Sequence, residues 1–227
     1  MRIGIIAEGR ADIAVVKAVL KAVTGIDMSE IYAIRPTETT DETDNAEMQF
    51  SNWQLVMKSC QDEALLDAFF NTLDEDVLLV VHIDTAERGN EGYDVTKPQR
   101  TGHPDWKEYS LQVRANVKAK MEYLVPEQYR EHVSYAIAIE ETDAWLIPLY
   151  ENPCRKDTAT HVRPKEELRR LIGAIKKNSK YIDTEHNNLN YVSLGKELTK
   201  QLKAARKMNE SLNLFCVDVE ERMVETK

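Results

Sequence analysis

Residues 77–83 read VLLVVHI, apolar at every position except His82. A run of this length suits a strand, and a strand apolar on both sides must be covered on both faces. That requirement points to a parallel sheet sandwiched between helices, and the rest of the chain supplies the parts. Residues 2–7 (RIGIIA) form a short apolar run ended by Glu8 and Gly9, residues 31–34 (IYAI) a second one stopped by Pro36, and residues 133–139 (VSYAIAI) another buried strand. Between them, residues 12–23 carry apolar side chains at positions 13, 16, 19, 20 and 23, a helical spacing with Gly25 just past its end. Helices are also expected over 51–73 and 106–124, and one starting directly at Glu140 and running to Leu149. Further helices follow near 165–177, 192–207 and 210–222. Strand–helix alternation of this kind defines an α/β fold, a Rossmann-like, mostly parallel sheet flanked by helices with a C-terminal helical extension.

Pro153 and Pro164 bracket a polar linker, so residues 1–152 read as the α/β domain and 153–227 as a basic helical extension packed on it. Residues 36–48 are rich in Thr and acids and read as a surface loop. Residues 84–104 hold Gly89, Gly92, Pro98, Gly102 and Pro104, and a loop of that length is usually functional or mobile. The chain enters its first strand almost at once, with no signal-type apolar segment, and no apolar run approaches the roughly 20 residues that span a bilayer. The three cysteines, Cys60, Cys154 and Cys216, are far apart and odd in number, so neither a disulfide framework nor a zinc spacing is present. A reducing, cytoplasmic compartment is expected.

In a parallel sheet, ligands bind beyond the carboxyl ends of the strands, and three of those ends carry acids. The first strand ends in Glu8, the third in Asp84, and the fourth in Glu140 and Glu141 with Asp143 just beyond. Carboxylates gathered at one sheet edge repel each other unless a cation neutralises them, and Mg²⁺, or Mn²⁺ in its place, suits a carboxylate site that also takes water and phosphate. Such an ion activates water and stabilises charge building on a phosphoryl group. Each acid also has a structural reading, as a residue near a helix N-terminus or as a turn cap. His82 and Asp84 alternate onto one face of their strand, where His82 reads as a core histidine or as a ligand. His103, His132, His161 and His186 are scattered and form no zinc signature.

These residues resemble a known family. Glu8-Gly9-x-x-Asp12 after a strand resembles the first motif of the Toprim domain, and VVHIDTAERGNEGYDV around Asp84 resembles the second. IEETDAWLI, residues 139–147, together with Ser211, Leu212 and Phe215, resembles the Toprim-like nucleases encoded beside ATPases in bacterial anti-phage defence islands. The resemblance covers nearly the whole chain. It implies an Mg²⁺-dependent nuclease acting on RNA such as tRNA, or on DNA, with Glu8 as general acid/base or metal ligand and Asp84 as metal ligand. Asp143 and Glu140 would complete the site, with Asp143 also on the metal. It further implies an ATPase partner and a possible homodimer. Trp145 reads as a core anchor rather than a base-stacking platform.

One position departs from the pattern. Residue 86 is alanine where the Toprim motif places a second aspartate. A natural loss, replacement by Glu87 or Asp94, or an introduced inactivating change would each account for it, and the intact remaining motif favours the last. A non-catalytic Toprim-like subunit of an ATPase complex is therefore the alternative, and a small-molecule phosphohydrolase lidded by residues 85–105 a weaker one. No phosphate-binding loop of the G-x-x-x-x-G-K-[ST] type, no G-x-G-x-x-G after the first strand and no G-x-S-x-G is present.

The formal net charge of −9 is unevenly spread: residues 155–207 hold 14 Lys and Arg against 6 Asp and Glu, the remainder 16 against 33. The basic stretch reads either as solvated helix faces or as a polyanion surface. On the second reading Arg169, Arg170, Lys176, Lys177, Lys203, Arg206 and Lys207 are the candidate phosphate contacts.

Overall fold

A computed structural model describes residues 1–37, 52–71, 76–96, 105–151, 156–183 and 188–225. Its centre is a four-stranded sheet of β1 (Arg2–Ile6), β2 (Ile31–Arg35), β3 (Val77–Asp84) and β4 (Val133–Ala138), in the order β2-β1-β3-β4. Every neighbouring pair is parallel, with Ile3 beside Leu78 and Asp84 beside Ala138. The chain is an α/β protein with a Rossmann-like sheet, as its strand pattern predicts. From β1 the chain passes to β2 on one side, while β3 lies on the other. The crevice that such a reversal opens therefore falls between the ends of β1 and β3.

Strand alternation divides the core in two. Ile3, Ile5, Leu78, Val80, Ala136 and Ala138 face α1 (Arg10–Thr24), α6 (Tyr191–Met208) and α7 (Glu210–Glu225). Ile6, Leu79, Val81, Ile83, Tyr135 and Ile137 face α2 (Trp53–Gln61), α3 (Glu63–Phe70) and α4 (Trp106–Leu124). The helices that follow residue 153 thus form one layer over the sheet together with α1 and share its core. Trp145 is that layer's anchor: fully buried, it stacks on Phe215 with ring centroids 5.8 Å apart and donates its indole N–H to Ser211 Oγ at 2.8 Å.

Two helix expectations are corrected. The stretch 51–73 forms two helices, because Asp62 ends α2 and turns its carboxylate to accept the Leu65 N–H at 3.1 Å, capping α3. No α-helix starts at Glu140. That residue has φ 64°, in the left-handed region, and the segment continues as 3₁₀ turns at Thr142–Trp145 and Ile147–Leu149. Pro148 lacks the N–H that a continuing helix would need. Helix α5 (Pro164–Gly173) stops earlier than its expected end near 177. The acid-rich loop from residue 38, the far part of the loop after β3, Pro153, Cys154, His103 and His186 lie outside the described residues. No described helix is long and apolar enough to cross a membrane.

Candidate metal centre

Glu8 follows β1 by two residues and reaches across to β3, where its Oε1 accepts the Asp84 N–H at 2.7 Å. Asp12 sits in the first turn of α1. Asp84 ends β3 with its side chain 24% exposed, and its Oδ1 accepts the Thr142 N–H and hydroxyl, both at 3.0 Å. His82, fully buried two residues earlier on the same face, lies with Nε2 at 2.7 Å from Thr142 Oγ1 and 3.6 Å from Asp84 Oδ1. The Thr142 hydroxyl lies within hydrogen-bond reach of both side chains, and the side to which it donates sets the imidazole tautomer. His82 Nδ1 is buried without a hydrogen-bond partner among the described residues. Asp143 is buried within the next turn and accepts a hydrogen bond from the Tyr191 hydroxyl at 2.8 Å. Tyr191 is the first residue of α6, so the N-termini of α1 and α6 both meet the acids.

The electrostatics carry the mark of gathered like charges. Burial, and then the charges of Asp12 and Glu87, push the Glu8 carboxyl up to about 7, against the hydrogen bond from the Asp84 N–H. Burial, Asp12 and Glu8 hold the Asp84 carboxyl well above the usual carboxylate range. Burial pushes Asp143 up to about 6, opposed by the Tyr191 hydrogen bond. Burial lowers the His82 pKa, so its ring is neutral near neutrality and can serve as a ligand. Asp12, His82 and Asp84 each offer a ligand atom, and these atoms lie within 4.8 Å of one another. Two carboxylates and a neutral imidazole make a donor set that fits a divalent cation, and such an ion would relieve the repulsion that raises Glu8 and Asp84.

Of the residues expected here, Glu8, Asp84 and Asp143 are linked by the charge effects just described. Glu140 is engaged elsewhere. Its carboxylate lies 3.3 Å from the Arg88 guanidinium, which is itself buried and donates to Tyr109 Oη at 2.6 Å. The Glu140 carbonyl accepts the N–H groups of Thr85 and Ala86, tying the end of β4 to the start of the loop after β3. Glu140 and Asp143 do not stand on one helix, because the helix expected over 140–149 is absent. Ala86 is exposed. Of its two possible substitutes, Glu87 acts electrostatically on Glu8, while Asp94 turns to accept the Gly92 N–H at 3.1 Å in its own loop.

Sequence reasoning passed over Asp12 as a ligand, although it stands one helical turn after Glu8. It had no signal for Thr142, Tyr191 or Arg88, whose roles depend on pairings across the fold. Among the basic residues, Arg170 pairs with Glu167 and Arg206 with Glu220, while Arg169 donates to Asn188 Oδ1 at 2.9 Å. Lys176 and Lys177 are exposed. Lys203, Arg206 and Lys207 line a separate cavity of about 770 Å³ towards the far end of α6. Two cations on α5 act on the acidic centre itself: the charge of Lys165 reaches Asp143, and that of Arg169 reaches Tyr191. No protein-family model, curated protein or solved structure matches the chain.

Proposed function

We propose that this chain is a metal-dependent nuclease of the Toprim type, hydrolysing phosphodiester bonds in RNA such as tRNA, or in DNA. One observation carries the reading: Glu8, Asp84 and Asp143, on three separate segments, gather around Asp12, whose charge adds to burial in raising the proton affinity of each. Bound Mg²⁺ or Mn²⁺ would polarise the phosphoryl oxygens and lower the pKa of a water. Asp12, Asp84 and His82 would hold the ion, and Thr142 fixes the Asp84 carboxylate for that task. Glu8, with its pKa near 7, is matched to taking a proton from the attacking water near neutral pH. Tyr191 holds Asp143, and Lys165 and Arg169 would meet the phosphate. The resemblance adds a role as effector of an anti-phage defence system, an ATPase partner, a homodimer and a cytoplasmic setting. The fully buried, unpaired thiols of Cys60 and Cys216 suit such a setting.

A second reading is favoured by the alanine at 86, which withholds a carboxylate from an exposed position beside Glu87. On it the chain is a non-catalytic Toprim-like binding subunit of an ATPase complex. Plasmid DNA and total tRNA incubated with Mg²⁺ or Mn²⁺ separate the two. The expected result is cleavage by the Ala86→Asp variant that is lost when Glu8→Gln is added to it. Intact substrates with Ala86→Asp and either ion would leave the binding reading or an enzyme gated by its ATPase partner, and would move the test to that partner.

A further inference from the structure

Helices α1 and α6 run side by side in the same direction, both starting at the acidic centre. Their approach is close: a Cβ on Gly195 would lie 3.0 Å from Ala18 Cβ and 3.1 Å from the Ala14 carbonyl oxygen. Thr199 Oγ1 donates to the Ala18 carbonyl at 3.2 Å. On the outer side of this pair lies a groove of about 790 Å³. Its floor is aliphatic, formed by Ile13, Ala14, Ala18, Met28 and Val192. Met28 is 45% and Val192 61% exposed, so the floor includes two of the large apolar side chains that the described surface leaves to water. Its rim carries Arg10, Lys17, Lys21, Lys196 and Lys200, and no Asp or Glu lines it among the described residues. The Lys21 ammonium bonds the carbonyls of Gly25 and Ile26, and its charge also reaches Asp27. Lys200 lies 3.4 Å from Glu197, and five cations around an apolar trough still stand out on a chain whose net charge is −9.

We propose that this groove docks an amphipathic helix of a partner protein, with an apolar stripe flanked by Asp and Glu. A valley between two packed helices accepts the ridge of a third. An aliphatic floor calls for apolar side chains at i, i+3, i+4 and i+7, and the cationic rim calls for acids on both flanks of that stripe. A nucleic acid fits less well. Among the described residues no aromatic side chain lines the groove to stack a base, and its floor presents no donors to phosphates. The groove opens at Arg10, two residues beyond Glu8, so a docked helix would stand beside the acidic centre. The docking assignment does not depend on the catalytic reading.

The probe is a stapled, fluorescent peptide of about 18 residues, long enough for a stable helix, with Leu at the stripe positions and Glu on both flanks. It is compared by anisotropy with its Lys-flanked counterpart and with a single-stranded RNA oligonucleotide, on the full chain. The expected result is saturable binding of the acidic peptide alone, weakened about tenfold or more by Val192→Asp and by Lys196→Glu. Both positions are exposed, and melting curves check that the variants stay folded. Equal binding of the two peptides, or acidic-peptide binding unchanged in both variants, would overturn the proposal. RNA binding lost in both variants would transfer the groove to nucleic acid. Self-association of the wild type, abolished by Val192→Asp, would transfer it to a second copy of this chain.

Discussion

Glu8 holds its proton more tightly in the folded chain than in the unfolded one, since its pKa rises from the ordinary 4.5 to about 7. Between those values the folded state binds more protons, so stability falls as pH rises through that window. Asp143, raised from 3.8 to about 6, adds a fall of the same sign at lower pH. Metal-free protein is therefore expected to melt at a lower temperature at pH 8 than at pH 5, with the difference reduced in Glu8→Gln. Mn²⁺ added at pH 8 should restore the melting temperature, and added at pH 6 should release protons, measurable by calorimetry in two buffers of different ionisation enthalpy; a melting temperature independent of both pH and metal would contradict the charge repulsion at this centre. The acids themselves were legible in the sequence because strand ends can be read from apolar runs. Their holders were not. Thr142 and Tyr191 act through hydrogen bonds to residues 58 and 48 positions away, a relation that no local pattern encodes.

At the scale of elements, the strands were the most readable part, because β3 and β4 are buried on both faces and their composition says so. The segment after β4 was not, because a left-handed Glu140 tied to Arg88 and the 85–86 backbone overrides the helical appearance of ETDAWLI. Close packing between elements makes a prediction here. Gly4 in β1 faces Phe69 of α3 and Ile34 of β2, and a Cβ there would lie 2.6 Å from Phe69 Cε2 and 2.4 Å from Ile34 Cδ1. Gly4→Ala is expected to destabilise the protein by about 1–3 kcal/mol, as overpacking does. Urea denaturation with an unchanged m-value reads this directly. A neutral result would mean that α3 shifts away from the sheet at little energetic cost.

At the scale of the molecule, the sheet joins two cores, and one of them is built largely from the last two helices. Leu194, Leu198, Leu202, Leu212, Phe215 and Val219 cover Ile3, Ile5, Leu78 and Val80. A fragment of residues 1–152 would leave that face of the sheet covered by α1 alone, so it is expected to show no cooperative thermal transition and to bind a dye for exposed apolar surface. A sharp transition in the fragment would instead mark the C-terminal helices as dispensable to the fold. The boundary near residue 153, read from prolines and polarity, separates two compositions that pack into one core.

The parallel approach of α1 and α6 also bears on how the chain comes off the ribosome. The residues at the acidic centre span positions 8 to 191, and Asp143 receives its hydrogen bond from Tyr191 only once α6 has docked beside α1. Contacts of such sequence separation form late, after the entropy of closing long loops has been overcome. During synthesis the early strands and their acids are made long before the helix that completes the centre. On the nuclease reading, a nascent chain thus stays harmless to the RNA around it until its last helices emerge.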